Sequence, residues 1–339
     1  MKTRKKLPPG VILGILGGAL LLVILFSFPL GRYPVSVPQL MQQLMSDLFG
    51  TPAPADENLA RVIYRIRLPR ILLAVLAGGS LSAAGAAYQG VFQNPMASPD
   101  LLGASSGASF GAALGIILGL PSGGVTGLAF FMSLLTVLAA WLVSRASKGS
   151  RVMTLVLSGM MVSSLFTAGT SYLKLVADPE DQLQEITYWL MGSLSGADWG
   201  DFRTALLPAA IGITILLLLR WRLGVLTLGD EEAEALGVKP ERVRAAAVLA
   251  ATLLTAAAIA SCGTIGWVGL IIPHLAGRLT GQSYRYRLTG SILLGGAFLL
   301  AADNIARSAL PVEIPIGILT AFAGAPFFLW LMVKGGRKG

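Results

Sequence analysis

The sequence predicts an all-α, polytopic membrane protein of about ten spanning helices, with both ends on the cytoplasmic side. Three observations carry that expectation. Hydrophobic residues make up 54% of the 339-residue chain and charged residues only 13%, against the roughly 25% charge with which a soluble domain covers its surface. The apolar residues fall into runs near the length of about 20 residues that crosses hydrocarbon. The charges sit in short tracts between those runs, and their signs are biased.

Taken in order, the first run is 11–30, after the basic start Met1-Lys2-Thr3-Arg4-Lys5-Lys6. It is longer than a signal-peptide core and has no obvious small-residue cleavage site behind it, so it reads as a retained span. An outer loop of about 31–66 follows, with a helical pattern from Pro38 to Leu48 and another before Arg65. The second run, 70–90, is rich in small residues (Ala77-Gly78-Gly79-Ser80, Ala83-Ala84-Gly85-Ala86) that let helix backbones approach closely in lipid. Asn94-Pro95 then favours a turn. Runs 103–120, 124–144, 152–174 and 204–220 come next.

A cytoplasmic tract of about 222–243 contains a short acidic helix, Asp230-Glu231-Glu232-Ala233-Glu234-Ala235, closed by Gly237 and followed by Pro240 at the start of another helix. Run 245–262 precedes a shorter piece, 266–279, interrupted by Gly269 and Pro273. Runs 288–309 and 316–333 complete the ten. Counting the short piece puts tracts 1–10, 91–102, 145–151, 220–244, 278–287 and 334–339 inside. These hold 18 of the 26 Lys and Arg, which supports ten spans over nine. The chain 1–339 reads as one domain.

Function is bounded first by what is missing. One cysteine, Cys262, and one histidine, His274, exclude multi-Cys and multi-His metal sites. The sequence has no phosphate-binding G-x-x-x-x-G-K-[ST] loop, so ATP hydrolysis is not expected of this chain. Proton-coupled carriers place ionisable relays within the membrane. Here only Asp303 and Arg307 lie well inside a span, spaced as an i,i+4 ion pair. A secondary carrier is disfavoured on that ground, and a membrane-embedded enzyme for want of a nucleophile–base pair. The interrupted 266–279 piece, led by Gly263-Thr264-Ile265-Gly266, and the polar stretch from Tyr88 to Pro95 are candidates to flank a substrate path.

Two charged features sit at opposite faces. Arg61, Arg65, Arg67 and Arg70 stand at the outer end of the second span, against the inside bias. They either snorkel to lipid phosphates or bind an acidic partner. The acidic inner helix is either a solvated connector or a docking surface.

The motifs Arg67-Leu68-Pro69-Arg70, Gln89, Asn94-Pro95-Met96-Ala97-Ser98-Pro99, Leu102-Gly103 and Gly107-Ala108 resemble the FecCD family of ABC importer permeases. These are the type II importers of iron–siderophores, haem and vitamin B12. The later half agrees: Gly263-Thr264-Ile265-Gly266-Trp267 through Pro273-His274, Arg278, Ala302-Asp303, Arg307, Glu313-Ile314-Pro315-Ile316-Gly317, Thr320-Ala321 and Gly324-Ala325-Pro326.

The resemblance runs from Arg65 to the C-terminus. It implies ten spans with an internal inverted-repeat arrangement, a homodimer or closely similar pair in the bacterial inner membrane, two ATP-binding cassette subunits below and an extracytoplasmic binding protein above. ATP and magnesium would sit on the partner ATPase, with no cofactor, metal or catalytic residue in this chain and no nucleic-acid partner. Carried over by motif, Arg67, Arg70 and Arg307 would dock the binding protein. Glu231, Glu232, Ala235, Leu236 and Gly237 would press on the ATPase. Asn94, Met96, Gly149 and Ser150 would gate the inner mouth, and Met160 and Ser164 on the fifth span would line the pore. The expected cargo is a metal chelate, a ferric siderophore first, with haem, cobalamin or an oxyanion as alternatives. An ion-coupled carrier is the alternative from another class.

Overall fold

In a computed structural model, describing residues 7–335 apart from 53, 55, 57, 149, 150 and 282, the chain is helical with no strand among the described residues. The α-helices are α1 (Pro9–Ser27), α2 (Val37–Phe49), α3 (Leu59–Arg61), α4 (Leu68–Val91), α5 (Ala104–Ile117), α6 (Ser122–Ala146) and α7 (Arg151–Val176). They continue with α8 (Gln182–Met191), α9 (Trp199–Leu226), α10 (Asp230–Ala235), α11 (Pro240–Cys262), α12 (Val268–Thr280), α13 (Tyr284–Ser308) and α14 (Ile316–Gly335).

Among the described residues, seven stretches are long and apolar enough to cross a membrane: α1, Leu59–Val91, α6, α7, α9, α11 and α13. The shorter apolar helices α5, α12 and α14 supply the rest, so the ten predicted spans each coincide with a helix. The outer helix α2 is present and begins with a capping box, Ser36 with Gln39. Helix α8 lies in the tract between the 152–174 and 204–220 runs, where the sequence reading places no element.

Small residues place α4 at the centre. Of its most apolar window 83% is buried, against 11% for α1, and it packs on α13, α11, α9 and α12. A methyl on Gly85 would overlap the carbonyl oxygen of Gly269, and one on Gly78 would overlap that of Gly295. At these crossings with α12 and α13 only glycine lets the backbones meet. The other strongly buried span, α11, packs against α4.

The interruption predicted at Gly269 and Pro273 is absent. Helix α12 runs unbroken from Val268 through Gly269 and Pro273 to Thr280. The non-helical backbone is confined to the connection between α11 and α12, 263–267, where Trp267 holds a positive φ of 70°. This segment is tied to the outer helix α8 and the loop after it. Here the Thr264 hydroxyl donates to the Leu190 carbonyl of α8, and Ser193 N–H donates to the Cys262 carbonyl at 2.8 Å.

Candidate functional site

At the outer face, a π-helical turn over Val62–Arg67 joins α3 to α4, and Pro69 fits the first turn of α4 because no N–H is needed there. The turn is tethered from two sides: the Tyr64 hydroxyl donates to Asp47 of α2, and Trp199 Nε1 of α9 donates to the Tyr64 carbonyl at 2.9 Å. It divides the four outer arginines into two pairs. Arg61 and Arg65 are exposed, whereas Arg67 and Arg70 turn inward and are only 3% and 7% exposed.

Arg70 grips two carboxylates. Its Nε and Nη2 donate to Asp303 of α13 at 3.1 and 2.8 Å, and its Nη1 and Nη2 donate to Glu313 at 3.2 and 2.9 Å. The predicted i,i+4 pair is also present: Arg307 Nε lies 3.8 Å from Asp303, a longer approach than Arg70 makes. Arg307 Nη2 donates to the Ser27 carbonyl at 2.7 Å and to Asn304 Oδ1 at 2.5 Å. Arg67 donates to the carbonyls of Phe28 and Tyr33 at the end of α1 and beyond it. Partial burial pushes the Glu313 carboxyl up, but the hydrogen bonds and charge of Arg70 outweigh it and hold the carboxyl below its usual range.

The three arginines assigned to docking are therefore not free surface arms. They wall a cavity of about 270 Å³ that Arg32, Tyr33 and Glu313 also line. Four guanidiniums face one carboxylate there, and Asp303 behind them is completely buried. The partnership of Arg70 with Glu313, 243 positions away, was not visible in the sequence, although both residues stand in the quoted motifs.

At the inner face, α10 follows the sharp bend at Gly229, and the chain turns just past its end at Gly237, which takes a positive φ of 76°. Ala233 is buried beneath it, and Asp230 accepts from Arg244 Nη2 of α11 at 2.9 Å. Glu231, Glu232, Ala235, Leu236 and Gly237 all face outward, so the predicted set forms one exposed surface. Leu236 and Leu228 are 55% and 63% exposed, an apolar pair beside the acids.

Between these faces, α7 presents an uncovered apolar side that includes Met153, Leu157, Met160, Met161 and Leu165, with exposed Ser164 bonded back to the Met160 carbonyl at 2.9 Å. Next to it, Ser106 of α5 meets Ser163 of α7 at 2.8 Å, and Ser105 donates to Asp100. This hydroxyl cluster was missed because its members come from separate helices. Asn94 and Met96 are exposed in the α4–α5 turn, where Asn94 Oδ1 accepts from the Met96 N–H at 2.8 Å. Gly149 and Ser150 lie outside the described residues. Among the described residues, no group of His, Cys, Asp and Glu could hold a metal ion.

This arrangement has whole-chain counterparts. The profile of the FecCD transport family matches residues 19–334. The chain belongs to the FecCD transport family. Among relatives, the molybdate import system permease protein MolB of Haemophilus influenzae is 39% identical over 98% of this chain and 97% of its own. The Fe(3+)-citrate import system permease protein YfmE of Bacillus subtilis is 37% identical over 99% and 98%. A solved structure described as an inward-facing conformation of a metal-chelate type ABC transporter superposes with a TM-score of 0.87 at 37% identity, covering 96% of this chain and 99% of that one. This FecCD chain is a multi-pass membrane permease, similar along its full length to importer subunits.

Proposed function

We propose that the chain is the membrane-spanning subunit of an ABC importer that moves a metal chelate, a ferric siderophore first, by alternating access in the bacterial inner membrane. Haem, cobalamin or an oxyanion such as molybdate is the alternative cargo of the same machine. The observation that carries this reading is the pairing of a cation-walled cavity outside with an exposed acidic–apolar helix inside.

In this reading an acidic side chain of the binding protein enters the outer cavity. Arg67, whose donors meet only carbonyls, supplies the uncompensated charge there, with Arg70 and Arg307 behind it. The inner surface of Glu231, Glu232, Ala235, Leu236 and Gly237 seats in a partner ATPase, which binds ATP and magnesium. The uncovered side of α7 faces a second copy across the pore, with Met160 and Ser164 on its wall and Asn94, Met96, Gly149 and Ser150 at its inner mouth. No residue of this chain performs catalysis. A proton relay finds no support at Asp303, because that carboxylate is buried and bound by Arg70.

The test is uptake into proteoliposomes holding the permease and its ATPase, with the binding protein preloaded with ferric siderophore, haem, cobalamin or molybdate. ATP-dependent accumulation of one cargo is expected. Accumulation that persists without ATP and follows a proton gradient would replace this reading with the carrier. Arg67→Ala should weaken binding-protein docking about tenfold, roughly 1.4 kcal/mol, and unchanged affinity would remove Arg67 from the docking site.

A further inference from the structure

The seam between α6 and α11, with the first turns of α7 beside it, contains none of the residues assigned above to docking, coupling, gate or pore wall. At its cytoplasmic end lies a cavity of about 470 Å³ whose polar lining is Ser144, Arg145, Ser147, Thr154, Glu241 and Arg244. Sharing Trp141, Ala245 and Val248 with it, an apolar groove of about 670 Å³ continues along the two helices as far as Phe131 and Leu253. Trp141 to Phe131 is ten residues of helix, about 15 Å at about 1.5 Å per residue. That is about half of the roughly 30 Å hydrocarbon core, the depth of one leaflet.

The polar end retains cationic capacity. Arg244 has a side chain only 8% exposed; Nη2 pairs with Asp230 while its buried Nε has no hydrogen-bond partner. The Arg145 guanidinium lies 4.3 Å above the Trp141 ring and pairs with no carboxylate among the described residues. Ser144 and Thr154 place their hydroxyls 3.1 Å apart beside it. Glu241, the carboxylate of the lining, is already engaged. Arg242 stands at the mouth of the groove, and Phe131, Leu138 and Leu249 along it are 56%, 49% and 60% exposed.

We propose that this seam is a binding site for an anionic glycerophospholipid of the cytoplasmic leaflet. Its phosphate is held by the Arg145 guanidinium, with the Arg244 side chain beside it, and one acyl chain lies in the α6–α11 groove. Basic pockets between spans on the cytoplasmic side suit such headgroups. A soluble subunit cannot fill a groove that runs at hydrocarbon depth. The outer half of the same α6–α11 face argues for the leaflet: its cavity of about 610 Å³ carries Asp198 and Asp201, which repel an anionic headgroup.

The test is native mass spectrometry of the purified full-length chain from micelles containing equal phosphatidylglycerol and phosphatidylcholine, with inorganic phosphate as a separate arm. Wild type should retain phosphatidylglycerol about fivefold over phosphatidylcholine. Arg145→Gln should abolish the preference, and Leu249→Trp, which fills the groove, should lower retention of both lipids. Thermal unfolding checks that both variants are folded. Equal retention of the two lipids by wild type, or an undiminished preference in folded Arg145→Gln, would overturn the proposal. Full competition by inorganic phosphate would also overturn it, because the site would then hold a free anion.

Discussion

The two charged ends of this permease are built in opposite ways. Outside, the arginines are drawn inward and knit α1, α4, α13 and the loop at Glu313 into one network. Inside, α10 stands out from the protein, held by one buried alanine and the Asp230–Arg244 pair. Low dielectric strengthens the outer bonds and makes any unpaired member costly. The inner helix keeps its charges in water, where they contribute little to stability. The outer face is thus a buried socket and the inner face a projecting handle, the two shapes that the proposed docking and coupling would need.

The largest break should come at Arg70. Its replacement by alanine leaves Asp303 buried beside only the longer contact from Arg307, and should cost about 3–5 kcal/mol of stability. Unfolding in detergent measures this, and Asp303→Asn in the same chain should restore part of the loss. An Arg70→Ala variant as stable as wild type would mean the network is ornamental.

A smaller effect belongs to the Glu313 arm, whose partly exposed pair is worth at most about 1 kcal/mol. Because Arg70 depresses this carboxyl in the folded chain, its contribution is complete above the usual glutamate value of 4.5 and is lost as pH falls through the lower folded value. Hydrogen exchange at 309–315 should therefore rise on acidification below that point in wild type. In Glu313→Gln it should be raised already at neutral pH and lack that step; identical pH profiles would rule the tether out.

The smallest stability effect should come from the handle. Glu231→Ala with Glu232→Ala and Leu236→Ala should move stability by less than about 0.5 kcal/mol while lowering ATP-driven uptake severalfold. If stability collapses instead, α10 is part of the core and the contrast between the two ends fails.

Much of this was legible beforehand, and what was not has one cause. Hydrophobic runs report span existence directly, because each must match the bilayer by itself, so all ten appear where the sequence puts them. The exposure of Glu231, Glu232 and Leu236 was also readable, since a six-residue acidic helix cannot bury itself. The burial of Arg67, Arg70 and Arg307 was not readable, because their partners lie on α1, α13 and the 309–315 loop. Nor was the continuity of α12: Gly269 and Pro273 are the local helix breakers, yet the helix runs through both, and a Cβ on Gly269 would meet Pro99 and the Leu81 carbonyl.

The sequence by itself determined the spans, their orientation and the family, since these depend on composition along the chain and on local motifs. Only the tertiary structure decided that the outer arginines form a socket and that a basic pocket opens onto an apolar groove beside α11. Those properties depend on charges and helix faces brought together from distant parts of the chain, and hydrophobic length carries no record of which faces meet.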